Sequence, residues 1–474
     1  MTIKIGLEIH FQLTSLKSKL FCSCSTDYRG KEANTNVCPI CLGLPGTLPL
    51  LNRKGLEYAL MISLALDCKT PEIVSFYRKN YFYPDLPKNF QISQYNSYEA
   101  SSIGIDGYME FDHKKVRIRR LQLEEDPGRL VYEGSMETSL YTLVDYNRAG
   151  VPLVEIVTEP DFTDPKQVRL FLNKLASTLE HLGICDTKLD GAVRCDANVS
   201  LDKGKRVEIK NVSSFREVEK ALLFEISRQK SLGTKGIEIR AETRHWDDVR
   251  RVTIQSRTKE EEQDYRYFPE PDVPAVNFSS DLMQILTKQM PELPDARKAR
   301  FVKKFGLSNQ VAQVLIDDKN LADFFEEGSK IYRNAKEIAN WIVTDLKGYT
   351  DEFDGIRSLK IKPVHVAELA KMVDTAVISR STAKQILQEI VKSGEMPSQV
   401  AKRLNAGKIS DERALANVID DVFEKEREAV MDALQNEKAL NFLLGKVMES
   451  TSARADPTLA RELIKKKLAS ISNA

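Results

Sequence analysis

The apolar pattern of this chain changes its period once, near Pro291, and this change restricts the folds that are open to it. Before Pro291, short stretches alternate apolar and polar residues between Gly, Asn and Asp, a pattern typical of half-buried strands and turns. After it, apolar residues recur at helical spacing. We therefore predict an α+β protein in which a large β-rich domain, residues 1–293, precedes helical domains.

The helical half divides again at residues 393–398, where Gly394 and Pro397 break the pattern. Pro291 and Pro294 make a linker before the first helix, because proline cannot continue a preceding helix. We predict a helical domain over residues 294–400 and a small helical tail over 401–474. Amphipathic stripes at helical spacing support both domains. They comprise Phe301, Phe305 and Leu307; Val364, Val366, Leu369, Met372 and Val373; Leu415, Val418, Ile419 and Val422; and Leu459, Leu463, Ile464 and Leu468.

The composition is that of an ordinary water-exposed chain, with 42% hydrophobic and 29% charged residues. No apolar run approaches the ~20 residues that a membrane span needs. The chain passes from Met1 directly into a strand-like pattern, so we expect no leader segment and a cytoplasmic protein. The net charge of +1 gives no indication of nucleic-acid binding, which would require local concentrations of positive charge.

The first strand carries polar side chains on one face. From Ile3 to Leu13 every second residue is apolar, and the residues between are polar or small. Glu8 and His10 therefore project from the same face, about 7 Å apart. A carboxylate beside an imidazole on a rigid strand suits a metal or proton-transfer pair. The alternative is an exposed strand face without a function.

A run of three carboxylates follows a basic strand. Glu124, Glu125 and Asp126 stand directly before Pro127 and Gly128. Adjacent carboxylates repel one another unless they are solvated, paired or bound to a metal, and Mg²⁺ prefers oxygen ligands. We interpret Glu124 and Glu125 as Mg²⁺ ligands, with a solvated turn as the alternative.

A predicted hairpin presents mixed charge on one face. Arg194, Asp196 and Asn198 alternate with apolar residues on its first strand, as Glu208 and Lys210 do on its second. Such a face suits a polyanionic ligand with a metal, with a face open to solvent as the alternative.

A separate polar turn contains Asn147 and Arg148, which stand before a glycine. They are candidates to contact the phosphate or carboxylate of a cofactor. A purely structural turn is an equally open interpretation of this segment.

Four of the seven cysteines fall within twenty residues. Cys22 and Cys24 are followed at finger-like distance by Cys38 and Cys41, a pattern that fits tetrahedral Zn²⁺. With four thiolates the site would fix the loop and have no catalytic role. A vestigial or loosely bound metal is the alternative. The other cysteines are Cys68, Cys185 and Cys195, which we expect to be reduced and buried.

Sequence motifs for common nucleotide sites are missing. The chain has no G-x-x-x-x-G-K-[ST] and no G-x-G-x-x-G, so an ATP site would be neither a P-loop nor a Rossmann site. It has no Gly-rich Ser-Ser amidase segment and no Cys/His pair suited to release ammonia from glutamine. An amidation reaction would therefore need a second subunit.

Seven segments, in this order along the chain, resemble the GatB family of the aspartyl/glutamyl-tRNA(Asn/Gln) amidotransferases. They are residues 6–10 (GLEIH), 38–46 (CPICLGLPG), 123–126 (LEED), 145–153 (DYNRAGVPL), 194–200 (RCDANVS), 208–211 (EIKN) and 266–272 (RYFPEPD). The resemblance spans essentially the whole chain. The longer archaeal relative GatE shares the core motifs but has an inserted domain, which this chain lacks.

The resemblance implies a cradle-shaped catalytic domain that uses ATP and Mg²⁺. In it, the side-chain carboxylate of Glu-tRNA(Gln) or Asp-tRNA(Asn) would be phosphorylated. Ammonia from the amidase subunit GatA would reach it through a tunnel and displace the phosphate. The small subunit GatC would strap the two large subunits together, and a YqeY-like tail would bind the tRNA.

By motif, the resemblance assigns residues to three groups. The metal-centred acidic site comprises Glu8, His10, Glu124 and Glu125; the polar face comprises Arg194, Asp196, Asn198, Glu208 and Lys210; and the zinc knob comprises Cys22, Cys24, Cys38 and Cys41. The tail departs from the family pattern at residues 448–457, which lack the usual Lys-Gly-Lys. The rival interpretations are a non-catalytic zinc-containing tRNA-binding protein and a metal-dependent hydrolase that uses Glu8 and His10.

Overall fold

The computed structural model divides the chain into two compact units, Met1–Ala296 and Arg297–Ala474. The residues that it describes are 2–95, 102–111, 114–134, 139–202, 204–212, 214–256, 265–352, 355–404, 412–434, 436–451 and 455–472. Part of the atypical tail segment, residues 452–454, therefore lies outside the described residues.

Strands dominate the first unit. They are β1 (Ile3–Gln12), β2 (Ile73–Val74), β3 (Tyr77–Asn80), β4 (Phe90–Ser93), β5 (Gly104–Phe111), β6 (Lys114–Glu125), β7 (Arg129–Tyr132), β8 (Thr142–Asp145), β9 (Pro152–Thr158), β10 (Val193–Leu201), β11 (Val207–Val212), β12 (Glu242–Asp247), β13 (Val252–Gln255), β14 (Phe268–Pro269) and β15 (Val276–Asn277). Eight of them form one sheet in the order β13-β12-β11-β10-β1-β9-β6-β5. Strands β11 and β12 pair in parallel, and the other described pairs of this sheet are antiparallel.

The central sheet has one apolar and one polar face, as the alternation in its first strand predicts. Ile5, Ile9 and Phe11 of β1 are fully buried. The antiparallel partners on β10 continue the same alternation, because Ala197 and Val199 are buried there as well. The predicted strand and hairpin are thus confirmed, and the polar side chains of both are directed to the opposite face.

Helices pack on the apolar side of the sheet. The first unit contains α1 (Arg53–Ala65), α2 (Pro165–His181), α3 (Phe215–Thr234) and α4 (Ser280–Gln289). Helix α2 begins where the Asp164 side chain accepts a hydrogen bond from Lys166 N and Pro165 occupies the first turn. At the start of α3, the side chain of Ser214 likewise accepts a hydrogen bond, from Glu217 N. Buried residues of both helices join the main core of this unit, and this core holds the sheet rigid beneath its polar face.

Smaller sheets stand beside the polar face. Strands β14, β3 and β4 form one of them, and β7 pairs with β8 in another. The Ser93 hydroxyl on β4 donates a hydrogen bond to Glu124 Oε2 on β6 at 2.7 Å. This contact fixes the three-stranded sheet next to the β6 side of the central sheet.

The second unit is helical. Its helices are α5 (Pro294–Phe305), α6 (Asn309–Ile316), α7 (Lys319–Ile331), α8 (Ala335–Asn340), α9 (Lys347–Glu352), α10 (Pro363–Asp374), α11 (Arg380–Ser393), α12 (Pro397–Arg403), α13 (Glu412–Lys425), α14 (Arg427–Ala433), α15 (Glu437–Ser450) and α16 (Pro457–Ser472), with a π-helical segment at Trp341–Leu346 and a 3₁₀ turn at Ile356–Ser358. Two separate apolar cores hold them, one among α5–α12 and one among α13–α16. Among the described residues, no helix is both long and apolar enough to cross a membrane.

The predicted amphipathic stripes mostly lie on helices. Leu415, Ile419 and Val422 face the core from α13. Leu307 is an exception, because α5 ends at Phe305 and Gly306 follows with a φ of 64°. This left-handed conformation suits glycine and terminates the helix, so that Leu307 packs into the core from the loop.

Candidate active site

The register of four strands collects polar side chains on one face of the central sheet. On β1, Glu8 lies opposite Asp196 of β10. His10 lies opposite Arg194 on one side and opposite Glu155 of β9 on the other. Paired residues of antiparallel strands project to the same face, so these side chains meet above the middle of the sheet.

Glu8, Glu124 and Glu155 surround His10, and we call these four residues the acidic group. His10 Nε2 lies 3.5 Å from Glu124 Oε1 and 3.6 Å from Glu155 Oε2. One potential ligand atom from each of Glu8, His10 and Glu155 lies within 4.8 Å of the others. A carboxylate–imidazole set at this spacing can coordinate a divalent cation.

The carboxylates around His10 make this point of the polar face strongly negative. Burial and the neighbouring charge of Glu155 raise the pKa of Glu8. Burial alone would lower the pKa of His10, but hydrogen bonds to Glu124 and Glu155 outweigh it and raise the pKa to about 10. The carboxylates therefore attract positive charge to this point, which a bound Mg²⁺ would also supply.

Arg120 on β6 places a positive charge beside Glu155. Its Nη2 donates a hydrogen bond to Glu155 Oε1 at 3.0 Å. Burial would raise the pKa of Glu155, but His10 and Arg120 lower it, so this carboxylate remains ionised.

A cavity of about 920 Å³ opens over the polar face. Of the predicted residues, five line it: Glu8, Glu124, Asn198, Glu208 and Lys210. Glu155, Arg120 and Lys79 line it as well. This volume lies at the upper end of the range for small-molecule sites, so the cavity has room for more than one small reacting group.

Lys210 and Asn198 offer hydrogen-bonding atoms beside the acidic group. Lys210 Nζ donates to Asp196 Oδ2 at 2.7 Å. Burial would lower the pKa of Lys210, but Asp196 and Glu208 raise it, so the ammonium group persists. Asn198 Oδ1 is buried and has no hydrogen-bond partner within the described part of the chain. A ligand that donates a hydrogen bond would satisfy this oxygen.

Arg194 and the buried Asp126 form a partly exposed clamp at the end of the polar face. Arg194 Nη2 donates to Asp126 Oδ1 at 2.5 Å, and Gln12 Nε2 donates to Asp126 Oδ2 at 2.6 Å. Burial would raise the pKa of Asp126, but Arg194 and Arg148 lower it. Arg194 is thus engaged in a structural contact rather than directed into the cavity.

Asn147 and Arg148 do not reach the cavity, contrary to the expectation that they bind a cofactor. The Asn147 side chain donates to Glu32 O and accepts from Asn36 N, each at 2.7 Å. Arg148 donates to the carbonyls of Pro127 and Gly128. Both residues therefore hold neighbouring loops in place, and the structural alternative describes them better.

Glu125 is not brought to the acidic group, although the sequence suggested it as a partner of Glu124. Strand β6 runs through both residues, so their side chains project to opposite faces. Glu125 Oε1 instead accepts hydrogen bonds from Lys88 Nζ at 2.5 Å and Ile92 N at 2.9 Å. It lines a second cavity of about 240 Å³ that adjoins the cysteine cluster.

The sulfur atoms of Cys22, Cys24, Cys38 and Cys41 lie within 4.8 Å of one another. Tetrahedral Zn²⁺ with ~2.3 Å bonds needs sulfur atoms about 3.8 Å apart, so the cluster fits zinc. A hydrogen bond from Cys22, together with the ammonium of Lys19, lowers the pKa of Cys41 to about 4. One thiolate thus forms readily here. Cys68, Cys185 and Cys195 are free thiols, although Cys68 is only half-buried.

The sequence interpretation missed several charged residues at the cavity, among them Glu155, Arg120 and Lys79. Glu155 is a lone carboxylate inside the apolar strand β9, and an isolated charge in a buried strand is itself a signal of function. Lys79 has no comparable signal. Its Nζ lies 4.8 Å from the centroid of the Tyr265 ring, which is distant in sequence.

Two family models match the chain. The GatB/GatE catalytic domain matches residues 3–284, and the GatB domain matches residues 323–468. The chain is 51% identical over 467 residues to the B-type subunit of the aspartyl/glutamyl-tRNA(Asn/Gln) amidotransferase of Sulfurisphaera tokodaii, a match that covers 98% of this chain and 99% of that protein. The proteins of the same name from Thermotoga maritima and Carboxydothermus hydrogenoformans are 44% and 43% identical, and each match covers 98% of both chains.

Proposed function

The chain belongs to the GatB family, and from this membership we propose that it is the activating subunit of a tRNA-dependent amidotransferase. It converts Glu-tRNA(Gln), Asp-tRNA(Asn) or both to the amidated forms with ATP and ammonia. The alternative of a non-catalytic zinc-containing tRNA-binding protein is not supported, because the relatives are named as amidotransferase subunits.

The chemistry has two steps. A side-chain carboxylate is a poor electrophile, so its oxygen first attacks the γ-phosphorus of ATP, the bond to the β,γ-bridging oxygen breaks, and ADP leaves. Ammonia then attacks the acyl carbon, phosphate leaves, and the nitrogen loses a proton. The residues mainly position the reactants and balance the charge of the phosphoryl group.

One observation carries this proposal: Glu8, Glu124, Glu155 and Lys210 line one large cavity, and His10 Nε2 lies within 3.6 Å of Glu124 and Glu155. Glu8, His10 and Glu155 would hold Mg²⁺, with Glu124 hydrogen-bonded beside them. When bound, the ion neutralises charge on the transferring phosphoryl group. Lys210, fixed by Asp196, supplies a second positive charge at the cavity.

The cysteine cluster supports a structural zinc site. Cys22, Cys24, Cys38 and Cys41 would hold Zn²⁺ and fix the loop that carries them, at a distance from the reaction. The metal has no part in the chemistry because four thiolates leave no open position.

We further propose the partners that the family implies. The sequence has no amidase motif, so an amidase subunit of the GatA kind would supply ammonia, and a small subunit of the GatC kind would join the two. We also propose that residues 1–293 form a cradle-shaped catalytic domain. Residues 294–400 would form a helical domain, and residues 401–474 would form a YqeY-like tail that binds tRNA.

The test is the conversion of Glu-tRNA(Gln) and Asp-tRNA(Asn) by the chain together with its amidase and small subunits. We expect amidated product with ATP, Mg²⁺ and glutamine, and none when ATP is omitted. Product formation that does not need this chain, or does not need ATP, would contradict the proposal.

A further inference from the structure

Two chemically different walls enclose the cavity on either side of the acidic group. The aromatic wall comprises Tyr81, Phe82, Tyr83, Tyr132, Tyr265 and Tyr267. The cationic wall comprises Arg206 and Lys210 at β11, whereas further cations, Lys79, Arg119 and Arg120, line the cavity on the β6 side. Aromatic rings suit the stacking of a planar base, whereas cationic side chains suit a phosphate group.

The order of the strands separates these walls. The acidic group lies on β1, β9 and β6, whereas Arg206 and Lys210 lie at β11, beyond β10. On the other side, β6 adjoins the small sheet through the contact between Ser93 and Glu124. The aromatic wall comes from the loop after β3, from β7 and from the residues directly before β14. The acidic group therefore lies between the two walls.

Phe82 is the most exposed ring of the aromatic wall. Its side chain is 74% exposed, whereas Tyr83 is 44% exposed. The Arg266 guanidinium carbon lies 5.5 Å from the centroid of the Phe82 ring. An exposed phenylalanine at the mouth of a cavity makes no contribution to the core, but it offers a flat apolar surface on which a planar ligand can stack.

Other rings of the wall are already engaged with neighbouring aromatic rings. Tyr95 and Tyr267 stack with centroids 4.1 Å apart, and Tyr81 meets Tyr265 edge to face at 5.7 Å. These contacts form a fixed base behind Phe82. The loop that carries Phe82 is therefore supported by packed aromatic residues, and Arg266 places a positive charge close to the exposed ring.

In-line phosphoryl transfer places the two substrates on opposite sides of the phosphorus. The attacking carboxylate and the departing ADP lie roughly in line through the γ-phosphorus. A polyphosphate suits the cationic wall, which offers positive charge but, among the described lining residues, no phenylalanine or tyrosine ring on which a base could stack. The acylated end of the tRNA must then approach from the aromatic wall. Aromatic side chains beside a cation are the usual platform for unpaired bases of RNA.

We propose that the aromatic wall stacks the 3′-terminal nucleobase of the aminoacylated tRNA on Phe82, while the cationic wall takes the phosphates of ATP. This inference rests on the proposed function and assigns one part of the cavity to each substrate. Stacking holds the terminal nucleotide so that its esterified amino acid extends over the acidic group. Phe82 is thus a positioning residue for the tRNA end.

The test uses the complete complex of the chain with its amidase and small subunits. The binding of Glu-tRNA(Gln) and the KM values for Glu-tRNA(Gln) and ATP are measured for Phe82→Ala, Phe82→Leu and Phe82→Trp. Removal of one aromatic side chain that stacks on a base weakens the binding free energy by ~1–3 kcal/mol, which corresponds to a loss of affinity of about 5- to 150-fold. We expect this loss in tRNA affinity for Phe82→Ala, a partial loss for Phe82→Leu, and near-normal affinity for Phe82→Trp. The KM for ATP should remain within about twofold of the parent value.

A tRNA that lacks its terminal base identifies the contact. With the parent protein, an abasic 3′-terminal nucleotide should weaken binding as much as Phe82→Ala does. With Phe82→Ala, the same change in the tRNA should have little further effect, because the two substitutions remove one contact. Leu223→Ala, which truncates a 52% exposed apolar side chain on α3 outside the cavity, is the matched control and should change neither parameter.

Two outcomes would overturn the proposal. If the abasic tRNA binds Phe82→Ala more weakly than the intact tRNA does, by the same factor as it weakens binding to the parent protein, the base stacks elsewhere. If only the KM for ATP rises, the wall binds the adenine of ATP. Failure of the proposed function is distinguishable, since the parent complex would then form no amidated tRNA at all.

Discussion

Glu124 and Glu125 are neighbours in sequence but lie on opposite faces of β6. Glu124 Oε1 lies 3.5 Å from His10 Nε2 in the acidic group. Glu125 forms an ion pair with Lys88 on the other side. The adjacent carboxylates therefore have different surroundings, and their substitution should have different consequences.

Glu124→Gln should impair the reaction and leave the fold intact. The amide keeps the shape of the side chain but removes the negative charge beside His10. We expect ATP-dependent conversion of Glu-tRNA(Gln) to fall by about 100-fold, the effect typical of removing one preorganised electrostatic group. The protein should remain folded, because the amide oxygen can still accept the hydrogen bond from Ser93 and Glu155 remains beside His10. Parallel turnover and denaturant-unfolding measurements check both expectations, and unchanged turnover would count against the role of Glu124.

Glu125→Ala should instead destabilise the first unit. The substitution leaves the Lys88 ammonium and the Ile92 N–H without the carboxylate that accepts from them. Breaking a buried ion pair in this way costs ~3–5 kcal/mol, which denaturant unfolding would detect. Glu110→Ala, at an exposed position on β5, is the control and should have an effect below ~0.5 kcal/mol. Equal stability of the two variants would show that the pair is unimportant.

Glu155→Gln should raise the concentration of Mg²⁺ that half-saturates the reaction. Glu155 is one of three residues whose potential ligand atoms lie within 4.8 Å of one another. We expect a shift of at least about 10-fold, comparable to the loss seen when groups around metal sites are replaced. Glu110→Gln is again the control. A Mg²⁺ titration identical to that of the parent protein would exclude Glu155 from the cation site.

The cysteine cluster should retain about one equivalent of zinc through purification. Cys38→Ser combined with Cys41→Ser should abolish this metal and lower the melting temperature, because metal binding contributes to the stability of its loop. Cys68→Ser, which removes a thiol outside the cluster, should keep the zinc. Elemental analysis with thermal unfolding provides the measurement, and metal-free protein of full stability would refute a structural role.

The Asp126 clamp makes a pH-dependent contribution to stability. The folded-state pKa of Asp126 is lowered, so its contribution is present above the unfolded-state value of ~3.9 and is lost as the pH falls through the folded value. Asp126→Asn should therefore destabilise the protein by about 3 kcal/mol at pH 7, and this difference should shrink below about pH 4. Asp106→Asn, whose ion pair with Lys69 is exposed, should show almost no difference at either pH. A pH-independent effect of Asp126→Asn would contradict this account.

The sequence predicts the parts of the site that depend on local alternation. Glu8 and His10 are two residues apart on one strand, so their common face follows from the pattern itself. Glu155 joins them only because β9 pairs between β1 and β6, a non-local arrangement that the pattern does not specify. The adjacent carboxylates suggest that Glu124 and Glu125 share one cation, but β6 continues through both residues and places their side chains on opposite faces. Asn147 and Arg148 were misassigned because loop contacts with distant backbone groups leave no local signal.

The central claim is that the acidic group on β1, β6 and β9 supports transfer of the γ-phosphate to the carboxylate of the tRNA-bound amino acid. The most direct measurement is single-turnover formation of ADP that depends on Glu-tRNA(Gln), in the complete complex of parent protein or Glu8→Ala. The account predicts that Glu8→Ala lowers this rate by at least about 100-fold, while its affinity for Glu-tRNA(Gln) stays within about twofold of the parent value. A variant that binds the tRNA and forms ADP at the parent rate would contradict it.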